Sequence, residues 1–539
     1  MATDTIHGNQ PPEEHEFSPE EHRRVLVIVF ALMLGMFLAA LDQSIVSTAL
    51  PTIAGDLHNL NELSWVVTSY LITSTISLPL WGKLGDLFGR KKLFQASIVV
   101  FLAGSILSGL SHSMVQLIVF RAIQGIGAGG LMVGSQAIVG DVIPPRQRGR
   151  YMGYFGIAFG LSSVLGPLAG GWFTQHVSWR WIFYINVPIG ILALVAIAVV
   201  LKIPVHRVAH KIDYWGMALL SAGVVCLILM LTWGGTQYAW ASSTIIGLGV
   251  ASAVLLVAFS FVELKVSEPI ISLQLFSNRT FSAASAVGFV IGFTMFGSIV
   301  YLPLYLQVVH GSSPTRSGLE LLPMVTGMLI TFIISGRLVS RTGRYKIFPI
   351  VGTAIVAIGM VALSHLGPTS AFSTAALYMF VIGFGMGLVM QVLVVAVQNS
   401  VPHEQLGTAT ATATFFRSIG GAFGVALFGS VFNSRLLSQL HAHASAHLLA
   451  MLGGGSISAN PAQISRLPPA ARVIVIDAFS SGLQRVFLVA APVAVLAFAL
   501  SWLMKEIPLR THAHSPATIG GEVDGDPVVA FDAPGEFGM

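Results

Sequence analysis

Fourteen stretches of this chain are each apolar over the length that crosses a hydrocarbon core of about 30 Å, roughly 20 residues of helix. They cover residues 25–50, 62–82, 93–111, 114–141, 151–175, 181–202, 213–233, 242–264, 281–306, 317–337, 347–366, 371–399, 406–433 and 483–504. Segments of that length are read as helices, because in lipid the backbone has to satisfy its own hydrogen bonds. Composition agrees. Hydrophobic residues make up 54%, charged residues 9%, and mean hydropathy is +0.79, where ordinary soluble domains are about a quarter charged. The expected fold class is an all-α multi-pass membrane protein.

The net charge of +5 would suggest nucleic acid in a soluble protein, but the basic residues sit in turns between apolar segments, where they report topology. With the first residue placed inside, 20 of the 28 Lys and Arg fall on the inner side, six on the outer, and Arg121 and Arg417 remain within the membrane. That asymmetry predicts a plasma-membrane protein with both termini in the cytoplasm. Residues 1–24 are polar and acidic, and the first apolar run lacks an A-x-A-like cleavage site, so they read as a cytoplasmic tail. Cys226 is the one cysteine, which excludes an internal disulfide.

GKLGDLFGRKK (82–92) aligns without a gap on GRLVSRTGRYK (336–346), each following the second helix of a group. Repeats of this type are a transporter signature. Two six-helix bundles, 25–202 and 281–504, with two additional helices in a linker over 203–280, account for fourteen helices. The second bundle includes an outer loop at 434–482, and a tail follows at 505–539.

Asp42 lies nine residues before Pro51, and Arg121 seven after Met114, so both stand roughly 10–14 Å below the outer surface. A carboxylate at that depth is costly and points to function. Asp42 can titrate and Arg121 cannot, which makes Asp42 the candidate proton carrier and Arg121 its partner; a permanent buried ion pair is the other reading. Gln124, one turn after Arg121, can join them. In the 82–92 loop, Gly82, Gly85 and Gly89 permit close approach and a tight turn, Asp86 can accept from Arg90 or a neighbouring helix start, and Arg90, Lys91 and Lys92 can anchor to anionic lipid. A purely topogenic charge cluster accounts for the lysines but not for Asp86. Helix five carries Gly156, Gly160, Gly166, Pro167, Gly170 and Gly171, suited to close packing with a bend at Pro167. GIGAGG (125–130) has no preceding strand and reads as a packing stripe, and His441, His443 and His447 as a solvated loop rather than a metal site. Arg417 stays open between a second functional charge and a packing residue, and Glu320 reads as interfacial. No phosphate-binding loop, H-E-x-x-H or G-x-S-x-G occurs, so neither an ATPase nor a hydrolase is expected.

These motifs resemble the major facilitator superfamily, specifically its fourteen-helix drug:proton antiporters. LDQSIVSTALP (41–51), GKLGDLFGRKK (82–92), RAIQGIGAGG (121–130), GIAFGLSSVLGPLAGG (156–171) and WRWIFYINVPIG (179–190) are similar to five family motifs in the family's order. The resemblance implies proton coupling through the Asp42 and Arg121 cluster with Gln124, a loop at 82–92 that stabilises the outward-facing state, and a helix-five gate against the second half. Ser340 stands where the first repeat has Asp86, so the switch role is carried onto the first copy alone. A midplane cavity would be lined by residues such as Gln124, Phe296, Tyr301 and Tyr305. The expected function is proton-driven export of lipophilic, cationic drugs by a monomer, with no enzyme activity, cofactor, metal or nucleic acid. The alternative is a dedicated exporter of one endogenous solute.

Overall fold

The computed structural model describes residues 19–57, 62–201, 212–235, 237–444 and 467–509. Among these residues sixteen α-helices follow one another: α1 Pro19–Asp56, α2 Leu63–Phe88, α3 Arg90–Gly109, α4 Met114–Val142, α5 Pro145–His176, α6 Trp181–Tyr184, α7 Asn186–Val200, α8 Tyr214–Trp233, α9 Ser243–Glu263, α10 Arg279–Val308, α11 Pro314–Glu320, α12 Leu322–Thr342, α13 Ile347–Leu363, α14 Phe372–Asn399, α15 Leu406–His443 and α16 Pro469–Trp502. Among the described residues, twelve spans are long and apolar enough to cross a membrane. The 26-residue α2 and the 17-residue apolar α13 pack among them, at the second and eleventh of the fourteen stretches. Outward-facing positions such as Phe30, Val199 and Phe261 are 59%, 69% and 62% exposed, as lipid-facing side chains should be.

Helices α1 to α7 form one bundle and α10 to α16 the other, while α9 pairs with α8, which leans on α2 and α15. In the first bundle α4 is clasped by α2 and α3. Added methyl groups at Gly125 and Gly129 would strike Tyr70, Thr73 and Ser77 of α2, and at Gly127 and Gly130 would strike Phe101 and Ser97 of α3. The GIGAGG run is a packing stripe, and it holds one face of α4 tight enough to position Arg121. Two expectations change. The outer loop is shorter than 434–482, because α15 continues to His443 and α16 begins at Pro469; His447 lies outside the described residues. The sixth span carries a turn residue, Ile185, between α6 and α7; its backbone stays helical, but Pro188 leaves the Tyr184 carbonyl without its helical donor.

The bundles meet along α5 with α12 and α2 with α15. At the end carrying Lys83, Arg90 and Arg148, here the basic face, the contacts are backbone to backbone. A methyl group at Gly149 would stand 2.9 Å from the Gly336 carbonyl oxygen, and one at Gly82 would stand 2.7 Å from that of Gly407. Gly82 and Gly336 are the aligned first residues of the repeated loop, so each bundle uses the same glycine to approach the other. Gly336→Val is therefore expected to prevent this face from sealing. With Cys226→Ala and Val397→Cys as background, maleimide labelling of the buried Val397 position should accelerate severalfold; unchanged labelling would show that the glycine contact is dispensable.

Candidate coupling and gating site

Asp42 is fully buried and its carboxylate is saturated by donors from two other helices. Arg121 Nη1 donates to Oδ2 at 2.5 Å, Gln124 Nε2 to Oδ1 at 2.8 Å and Asn186 Nδ2 to Oδ1 at 3.0 Å. Arg121 also donates to Gln124 Oε1 at 2.8 Å and to the Val66 carbonyl at 3.3 Å, and its guanidinium carbon lies 4.1 Å from the Tyr70 ring centroid. The glycine at 104 lets α3 run against Gln124, since a methyl group there would meet the Gln124 backbone. Asn186, at the start of α7, extends the network to Ser105 of α3 at 3.0 Å. One carboxylate thus ties α1 to α4 and α7. Removing either charged partner from such an enclosed pair would strand the other and cost about 3–5 kcal/mol.

A second cluster closes the basic face. Asp86, at the end of α2, accepts from the Gly407 and Thr408 amides at 3.0 and 2.7 Å and from Thr408 Oγ1 at 2.9 Å. These are first-turn amides of α15, whose own N-cap residue, Gln405, makes no side-chain cap. Asp86 is therefore an N-cap supplied by the opposite bundle, with its charge at the positive end of the helix dipole. Arg90 holds the cap from behind, donating to Asp86 from Nη2 at 2.6 Å and also to Asp141 of α4 and the Ala137 carbonyl. From the second bundle, His403 Nε2 comes within 3.4 Å of Asp141. Gly89, at φ 93°, makes the reversal between α2 and α3, whereas Gly85 has only ordinary contacts. Lys91 donates to the Ala198 carbonyl at the end of α7 at 2.9 Å rather than standing free for lipid. In the other repeat the Arg150 amide donates to Ser340 Oγ at 3.0 Å, an uncharged counterpart of the Asp86 contact.

Residues 32–425 match the description Major Facilitator Superfamily, which is most of the chain. The chain belongs to the Major Facilitator Superfamily. An uncharacterised MFS-type transporter of Mycobacterium tuberculosis is 41% identical over 505 residues, covering 93% of this chain and 72% of that one. Multidrug resistance protein 3 of Bacillus subtilis is 38% identical over 494 residues, covering 90% and 96%. The crystal structure of the human organic anion transporter MFSD10 superposes with a TM-score of 0.62 at 16% identity, covering 90% of this chain and 100% of that one, and so shares the fold. The chain is a membrane transporter of this superfamily, not an enzyme.

Within the superfamily fold, the helix-five residues divide. Gly166 and Gly170 face Ser44 and Thr48 of α1, inside their own bundle. The contact with the second bundle is made by Gly149, Gly153, Gly156 and Gly160 against α12, and by Pro167 against Gly318 of α11. Gly171 is half-buried one position beyond Gly170. Tyr301 is buried beside Phe432, ring centroids 5.8 Å apart, and Tyr305 is buried with its hydroxyl donating to the Gly367 carbonyl at 3.0 Å. Both pack inside the second bundle, and the Phe296 side chain lies outside the described residues. Glu320 accepts from Arg316 at 2.8 Å and Ser312 at 2.6 Å, away from the coupling cluster. Sequence reasoning passed over Asn186, Tyr70, Asp141 and His403. A lone amide ahead of a proline, in INVP, was the available signal for Asn186.

Asp86→Asn keeps the shape of the cap but removes its charge and replaces one acceptor oxygen by a donor facing helical amides. Loss of a charge-assisted bond of about 1.5–3 kcal/mol predicts roughly tenfold slower turnover or more, with substrate affinity little changed because the cap is remote from Asp42. Initial-rate transport against substrate concentration separates the two.

Proposed function

We propose that this transporter exports lipophilic small molecules from the cytoplasm in exchange for protons, with Asp42 as the proton carrier, and protects its host against such compounds. The observation that carries this reading is the carboxylate of Asp42, enclosed at mid-membrane depth and bonded by Arg121, Gln124 and Asn186. Protonation would discharge the acceptor those three side chains share, loosen α1 from α4 and α7, and leave the Arg121 charge uncompensated. A group whose protonation changes inter-helix bonding is what alternating access needs to feel the proton gradient. The names of relatives such as Multidrug resistance protein 3 support the cargo class. The basic face would lie in the cytoplasm of a plasma-membrane monomer, with the Asp86 cap holding the outward-facing state.

The cationic preference expected from the sequence finds less support. With no exposed surface and both oxygens engaged, Asp42 has no free side for a drug cation, so coupling would run through helix packing rather than through competition for one carboxylate. Asp42→Asn mimics the protonated form and cannot titrate. In proteoliposomes, drug efflux driven by a pH gradient should fall to background in this variant, while membrane insertion and equilibrium substrate binding persist. Full gradient-driven efflux by Asp42→Asn would remove Asp42 from the mechanism. Equal susceptibility of a pump-deficient host with and without the protein, across planar aromatic drugs and ethidium-like dyes, would favour a dedicated exporter of one endogenous solute. Asn186→Ala, which withdraws one of the three donors, is expected to retain proton-driven efflux at a reduced rate.

A further inference from the structure

Arg417 stands eleven residues into α15, about 16 Å from its basic end and so near the middle of the bilayer. Among the described residues its guanidinium has neither an ion pair nor a hydrogen bond, and the side chain is only half-buried. Its stem crosses Gly292 of α10, where a methyl group would come within 3.1 Å of Cγ. On the other side lies α14. Gln398 Nε2 donates to Thr410 Oγ1 at 3.2 Å, and α14 and α15 run antiparallel through the short turn of residues 400–405. Seven residues further from the basic face along each helix stand Gln391 and Arg417, which helical rise puts at similar depth. Gln391 is 7% exposed and its Oε1 has no partner; Thr414, 2% exposed and one turn below Arg417 on α15, has an unpartnered hydroxyl.

Three polar side chains at similar depth on α14 and α15 therefore have unused bonding capacity, and one of them carries a full charge. An arginine without a counter-ion at this depth is costly and marks a site whose negative charge arrives with a ligand. The acid nearest in role, Asp42, is already consumed by its own donors. We propose that Arg417, assisted by the Gln391 amide and the Thr414 hydroxyl, binds the carboxylate of a lipophilic organic acid or zwitterion, and that such compounds are the transported class. A planar guanidinium fork matches a carboxylate, one positive charge neutralises one negative charge, and a doubly charged phosphate would remain half-compensated. Leu393, 3.9 Å from a methyl group built on Gly288 of α10, makes the adjoining wall aliphatic, which favours a lipophilic body on the ligand.

This assignment rests on the export reading for its direction of transport, but binding can be measured without a gradient. The probes are 1-pyrenebutyrate and its uncharged primary amide, titrated by fluorescence against the purified full chain in detergent. The wild type should bind the acid about tenfold more tightly than the amide; in Arg417→Gln that preference should vanish while amide affinity stays within about twofold, and Arg417→Lys should keep part of it. Retained amide binding shows that the Gln variant is folded. Equal affinity of the wild type for both probes, or an undiminished preference in Arg417→Gln, overturns the proposal. So does a thermal stabilisation by chloride, absent for pyrenebutyrate and lost in Arg417→Gln, which would give the site to an inorganic anion. Failure of proton-driven efflux with acid binding intact would strike the antiport mechanism and leave the Arg417 site standing.

Discussion

A charge in hydrocarbon needs its partners built around it, and the first bundle is organised by that requirement at Asp42. Three donors from two other helices converge on one carboxylate, and the glycines of α4 bring α2 and α3 close enough to hold the donors there. Tyr70 covers Arg121 from α2, so the cation is screened by a ring face where lipid or drug would otherwise reach it. The cluster is neutral as a whole and unstable in parts. That combination suits a switch on the reading proposed above, since a single proton unbalances it.

The two bundles meet at a seam on the basic face. At the basic face both repeats place a glycine where the opposing backbone arrives, so contact is set by atoms that cannot be compressed. The polar contacts added to that geometry differ. One repeat contributes a carboxylate that caps α15 and is gripped by Arg90, the other a serine hydroxyl that meets an amide of α5. The charged contact is the stronger of the two, because first-turn amides have no other acceptor and the helix dipole favours an anion.

The second bundle has no counterpart of the Asp42 pair among the described residues. Its intramembrane charge, Arg417, has neither an ion pair nor a hydrogen bond among the described residues. The transport domain thus carries a compensated charge pair in one half and an uncompensated cation in the other.

The spans, the internal repeat, the equal depth of Asp42 and Arg121, and the motif order were all legible in the sequence, because each follows from helical rise, hydrocarbon thickness or local spacing along one chain. Partners from distant elements were not. Asn186 reaches Asp42 from α7, across 144 residues of chain. Lys91 looked like a lipid anchor until α7 ended beside it, and Tyr301 and Tyr305 looked like cavity walls until the second bundle closed over them. Gly166 and Gly149 are alike in sequence, yet one faces its own bundle and the other the opposite one. Sequence by itself determined what must lie in the membrane and at what depth each charge sits, since solvent transfer and helical rise are properties of a single segment. Which helix a glycine faces, which amide a carboxylate caps and which cation goes without a partner were decided only by tertiary structure, because those are properties of pairs of helices whose relative rotation no single segment encodes.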